Sequence, residues 1–294
     1  KSIAIPRRFR RILFQFSVFS YVNTLASIVV LTMDAVMIGG MIGLSAVGIY
    51  TTMVQITSAV LVPFRAMTRV SSPIVAKYWK EKNLSGLQAI YQKSSGVGLF
   101  LGLLSFLSLW LPVKELFSFL SPAFQQGIPV LFFLLIGRLV DMYFGLNGII
   151  FATSKKYKYD LGFTLFLCVG IFTLNYLLII AGFGIAGVGF ATGLIYVFYN
   201  FARSFYIYRA YGLNPFKFDH WKMFALALLL IGMVYGLEQI VPFNPNATTF
   251  MKFLRIGFIE FLVFLVFVVP VVLFNLEPET AEFIQRKWKG LSSR

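Results

Sequence analysis

Long apolar runs separated by short polar loops fill the chain. They cover residues 12–40, 46–75, 90–111, 124–152, 159–181, 184–208, 222–241 and 251–275. A hydrocarbon core about 30 Å thick is crossed by ~20 helical residues, and each run reaches that length. The runs are continuous and lack the period-two alternation of barrel strands. The pattern therefore predicts an all-α integral membrane protein with about eight transmembrane helices. Pro63, Arg65 and Arg69 interrupt the second run. A proline there breaks the backbone ladder, so a bend is expected.

Charge decides the orientation. On one side of the predicted spans lie Lys1, Arg7, Arg8, Arg10 and Arg11, then Lys77, Lys80 and Lys82, then Lys155, Lys156 and Lys158. Arg209, Lys217, Lys222, Arg286, Lys287, Lys289 and Arg294 continue the series. The alternate loops, around 43–45, 112–122, 182–184 and 242–249, hold only Lys114. Basic residues stay on the cytoplasmic side, which predicts a multi-pass protein with both termini cytoplasmic. The net charge of +15 then reports topology. Basic residues dispersed among loops argue against nucleic acid as a partner, and the bilayer is the partner implied.

Composition agrees, with 59% hydrophobic and only 13% charged residues. The single cysteine, Cys168, lies within a span and excludes disulfides inside the chain and cysteine-based metal sites. No Gly-Lys-Ser/Thr phosphate loop is present, so ATP hydrolysis by this chain is not expected. Short loops without acidic pairs or histidine clusters argue against a membrane enzyme. No metal or other cofactor is expected, and conformational transport is the class that remains.

Intramembrane charge supplies the candidate site, because each such group costs roughly 2.5–3.5 kcal/mol on insertion scales. Ser20, Asn23, Ser27 and Asp34 fall on one helical stripe of the first span, expected to face a polar interior. Gln55, Ser58, Arg65, Arg69 and Ser72 form a parallel stripe on the second. Arg65 and Arg69 carry guanidinium forks suited to phosphate or carboxylate, with snorkelling to the headgroups as the alternative. In the fourth span Arg138 and Asp141, three residues apart, can neutralise each other or contact an anionic substrate. Asp34 and Asp141 are the candidate sites for coupling a proton or sodium ion. Asn23, Ser27, Gln55 and Ser58 are the candidate polar cavity lining. Lys93 is expected to snorkel, His220 to be interfacial, and Glu260 has no partner assignable by spacing. Gly96, Gly98 and Gly102, and the glycines of 182–193, predict close helix packing.

Four stretches in order resemble the multidrug/oligosaccharidyl-lipid/polysaccharide exporter superfamily, in particular its polysaccharide-transporter branch. Asp34-Ala-Val-Met-Ile-Gly-Gly followed by Ala46-Val-Gly-Ile-Tyr50 is similar to the first helix pair of a repeat. Ser71-Ser-Pro73-Ile with Tyr78-Trp-Lys resembles the end of the next helix, and Gly148 to Lys156 is similar to the helix that ends in Gly-Lys-x-Lys. Asn175 to Thr192, with Gly184-Ile-Ala-Gly187, resembles the Asn…Gly-Ile-x-Gly…Ala-Thr signature, with Ala181 where a proline is common. The resemblance implies that 12–210 is a second six-helix bundle following a basic linker at 1–11. It further implies two additional spans at 220–275, a cytoplasmic tail at 276–294, and a preceding six-helix bundle as partner.

On that resemblance the expected function is a flippase in the cytoplasmic (inner) membrane, serving bacterial surface polysaccharide synthesis. Its substrate would be a polyprenyl-pyrophosphate-linked oligosaccharide, carried by alternating access. Arg65, Arg138 and Arg69 are the expected substrate-binding residues. A cation-coupled multidrug exporter of the same superfamily and a non-transporting scaffold of glycan assembly are the other readings.

Overall fold

A computed structural model describes residues 7–276. Residues 1–6 and 277–294, which include the start of the basic linker and nearly all of the C-terminal tail, lie outside them. The chain is an all-α membrane protein. Among the described residues seven helices are long and apolar enough to cross a bilayer, and eight if one bent pair is a single span.

Each predicted span has a counterpart. The first is α1 (Arg7–Met41). The second is the bent pair α2 (Leu44–Val60) and α3 (Val62–Lys80), which turn through 49° at Leu61. Pro63 opens α3 and cannot donate to the preceding turn, which places the bend where the sequence expects it. The third span is α4 (Leu84–Trp110), capped by the Asn83 side chain, which accepts from the Gly86 amide at 2.8 Å. Short α5 (Val113–Phe117) and a 3-10 turn at Pro122–Gly127 lead into α6 (Ile128–Tyr143).

The sequence predicts one helix from 124 to 152, but it breaks after α6. Gly145 adopts φ +56°, a left-handed conformation open to glycine, and the short α7 (Asn147–Thr153) follows the break. Then come α8 (Lys158–Ile180), α9 (Gly184–Tyr211) and α10 (Asp219–Ile240). The last span is composite: α11 (Thr249–Leu262), a π-helical segment (Val263–Val268) and α12 (Val269–Leu273).

The centre of the structure is α9, packed along both α6 and α8, while α1 leans on α8 and α4 on α6. Glycine makes these approaches possible. A Cβ at Gly193 would lie 2.5 Å from the Phe133 carbonyl oxygen of α6, and one at Gly98 only 2.0 Å from that of Met142. The small-residue stripes are therefore packing surfaces, as their spacing predicts. On the far side of α4, the π-helical segment and α10 complete the main apolar core, where Phe267 stacks on Phe100 with centroids 5.8 Å apart.

Candidate functional site

Asp34 is the focus of a polar cage built from four helices. The α1 carboxylate is 6% exposed and accepts three hydrogen bonds. Tyr50 of α2 donates to Oδ2 at 2.5 Å, Thr192 of α9 to the same oxygen at 2.9 Å, and Asn175 of α8 to Oδ1 at 2.7 Å. Hydrogen bonds to a charged group are worth about 1.5–3 kcal/mol each, so three such donors can offset the several kcal/mol of burying it. The Asn175 Oδ1 atom is itself buried and meets no hydrogen-bond donor among the described residues, leaving a second acceptor beside the carboxylate.

Polar groups continue from the cage along one face of α9. Thr192, Tyr196, Asn200 and Arg203 recur at three- and four-residue steps over eleven residues, about 16 Å of helix. The Arg138 guanidinium of α6 lies over the Tyr196 ring, 5.5 Å from its centroid, and its charge reaches Asp34. Asp141 accepts from the Asn200 amide at 3.3 Å. The self-neutralising pair of Arg138 and Asp141, one of the two readings their spacing allows, does not form, because each side chain finds its partner on α9.

The column ends in a buried ion pair. Arg203 of α9 and Asp160 of α8 meet at 2.5 Å, both more than nine-tenths buried. Arg203 also donates to the Tyr199 hydroxyl at 2.8 Å, and Asn23 of α1 donates to the other Asp160 oxygen at 3.2 Å. Beside it, Tyr91 donates to Asn147, whose amide donates to the Asn200 carbonyl. Asp160 and Asn175 sit fifteen residues apart on α8, so the column spans about 22 Å of membrane helix.

The remaining predicted site residues fall into a second group. Arg65, Arg69 and Gln55 are exposed on the bent α2–α3 pair, and Ser58 is half-buried. Neither arginine makes a side-chain hydrogen bond or ion pair among the described residues. Ser27 shares the stripe of Asp34 but is exposed, satisfied by donating to the Asn23 carbonyl at 2.8 Å in its own helix. The structure thus unites Asp34, Arg138, Asp141 and Asn23 in the interior column and leaves Arg65, Arg69 and Gln55 outside it.

Other polar positions acquire partners that spacing does not reveal. Ser108 of α4 donates to Glu260 at 2.9 Å. His220, read as interfacial, is 1% exposed and meets the Tyr143 hydroxyl at 3.2 Å. Sequence reasoning misses Arg203 and Asp160 altogether. The same desolvation cost that singles out Arg138 applies to Arg203, eleven residues on from Thr192, and is the signal that could have found it. No protein-family model and no curated protein sequence matches this chain.

Proposed function

We propose that this chain forms the ion-coupled moving part of a membrane transporter whose cargo is a lipid-linked oligosaccharide. The observation that carries the reading is the Asp34 cage. One ionisable group held by α1, α2, α8 and α9 makes the packing of four helices sensitive to whether a cation or proton occupies it. Such differential contact is what lets ion occupancy shift a conformational equilibrium. A static scaffold has no use for a carboxylate suspended in this way.

Cargo chemistry is suggested by Arg65 and Arg69. Both guanidiniums are exposed on the membrane helix α3 and are not consumed by internal ion pairs, so both can grip a pyrophosphate. Arg138 serves better as the counter-charge of Asp34 than as a third substrate ligand. The order of motifs resembling the polysaccharide-exporter branch supports the same substrate class, a polyprenyl-pyrophosphate-linked glycan carried across the cytoplasmic membrane. Both termini cytoplasmic, as the loop charges favour, would open the cargo face to the side where such glycans are made.

A cation-coupled multidrug exporter is the second reading, favoured by the same cage, since a buried acid is also what a cationic drug would seek. Complementation of a flippase-deficient strain by the whole protein decides between them. Restored surface polysaccharide, lost in Arg65→Ala and Asp34→Asn at normal expression, supports lipid-oligosaccharide transport. Drug efflux without restored polysaccharide replaces it with the multidrug reading.

A further inference from the structure

A cavity of about 390 Å³ opens between α5, the connection from α10 to α11, and α11 itself. Glu115 forms part of its lining and is 1% exposed. Arg255 Nε approaches Glu115 Oε1 to 2.6 Å as an ion pair, yet no donor among the described residues meets either carboxylate oxygen with hydrogen-bond geometry. Glu238 takes the other side of Arg255 at 3.5 Å and is itself paired with Lys114 at 3.0 Å. Lys252 also lines the cavity and has no partner among the described residues. The site therefore offers a spare cation beside a buried carboxylate that is ion-paired through Oε1 and whose Oε2 meets no hydrogen-bond donor among the described residues.

The walls and the depth identify what fits. Met251, Leu254 and Phe258 line the cavity and leave more than half of their surface exposed, as side chains facing acyl chains do. Lys252 and Arg255 lie within the first two turns of α11, about 4.5 and 9 Å from its start, at the depth where headgroups meet the hydrocarbon. We propose that this cavity binds a glycerophospholipid headgroup, with its phosphodiester at Lys252 and a donor at its terminus on Glu115. Ethanolamine supplies an ammonium for this purpose and glycerol a hydroxyl. Choline, a quaternary ammonium, has no hydrogen to donate.

The test is native mass spectrometry of the full chain extracted from vesicles of equal phosphatidylethanolamine, phosphatidylglycerol and phosphatidylcholine. Retention of the ethanolamine lipid about tenfold over the choline lipid is expected, as a charge-assisted hydrogen bond would give. Glu115→Gln and Lys252→Met should each lower that ratio towards one. Enrichment of the glycerol lipid with the same loss in the variants supports the site and names glycerol as the source. Ala247 lines the cavity and carries neither charge of the ion pair, so Ala247→Phe, which adds bulk to the lining, tests the site even where Glu115→Gln fails to fold. Equal retention of choline lipid, or retention unchanged in Ala247→Phe, overturns the proposal.

Discussion

Asn175 of α8 donates its amide to Asp34 of α1 at 2.7 Å, joining residues 141 positions apart in sequence. Because the acceptor is buried, the contact both positions the carboxylate and ties two helices. Replacing Asn175 by Leu should lower thermal stability in detergent by about 1.5–3 kcal/mol, the worth of a hydrogen bond to a charged group. Asp34→Asn keeps the shape and should cost less stability while abolishing ion-dependent transport. Thermal melts read beside a transport assay separate the two effects.

Arg203 and Asp160 invite a double-mutant cycle. Removing one partner leaves the other charged and buried, so Arg203→Leu or Asp160→Leu alone should destabilise by about 3–5 kcal/mol. The double variant should recover much of that loss, as an apolar pair commonly does. Additive losses would mean that the pair is not coupled in the folded protein.

Gly193 and Gly98 set how closely α9 and α4 approach α6. An added methyl at Gly98 would have to displace the Met142 carbonyl region of the backbone, not a flexible side chain. Gly98→Ala should therefore cost at least the 1–3 kcal/mol typical of overpacking, seen as loss of a monodisperse peak in gel filtration. Gly232→Ala is the control, since nothing lies within 4 Å of its Cβ position.

Pro63 holds the bend between α2 and α3. Pro63→Ala restores a backbone donor and should reduce the 49° angle, lengthening the spin-label distance between Gln55 and Arg69 positions in pulsed electron paramagnetic resonance. An unchanged distance would assign the bend to packing around Leu61 instead.

Span positions and the role of the glycine stripes were legible because the bilayer imposes length and apolarity on each segment independently of its neighbours. Asp34 was legible for a related reason: a lone acid in an apolar run advertises its cost. Its three donors were not, since Tyr50, Asn175 and Thr192 become partners only once four helices assemble. Arg138 and Asp141 show the converse. Local spacing pairs them, yet α9 offers each a different partner and tertiary packing overrides the local rule. Asp160, in the first turn of α8, carries no spacing that marks it, and only the fold draws it against Arg203. The break at Gly145 is hidden in the sequence because the flanking residues remain apolar on both sides.

The π-helical segment at Val263–Val268 has a consequence for insertion and deletion. Ile259, Val263, Phe267 and Val271 are buried at a strict four-residue step. In a regular helix that step drifts by about 40° each time and would carry the later residues around the cylinder, away from α4. The wider π turn acts as a phase corrector, absorbing the drift so that one straight seam survives to the end of the span. Deleting a single residue within the segment should return it to ordinary helical pitch and leave everything beyond it facing as before, because one residue fewer removes about the 100° of rotation that the wider turn absorbs. Inserting a residue elsewhere in the span adds about 100° that no wider turn absorbs, and Val271 would then face lipid although no residue type in the seam had changed. For this helix the count of residues carries structural information that their identities do not.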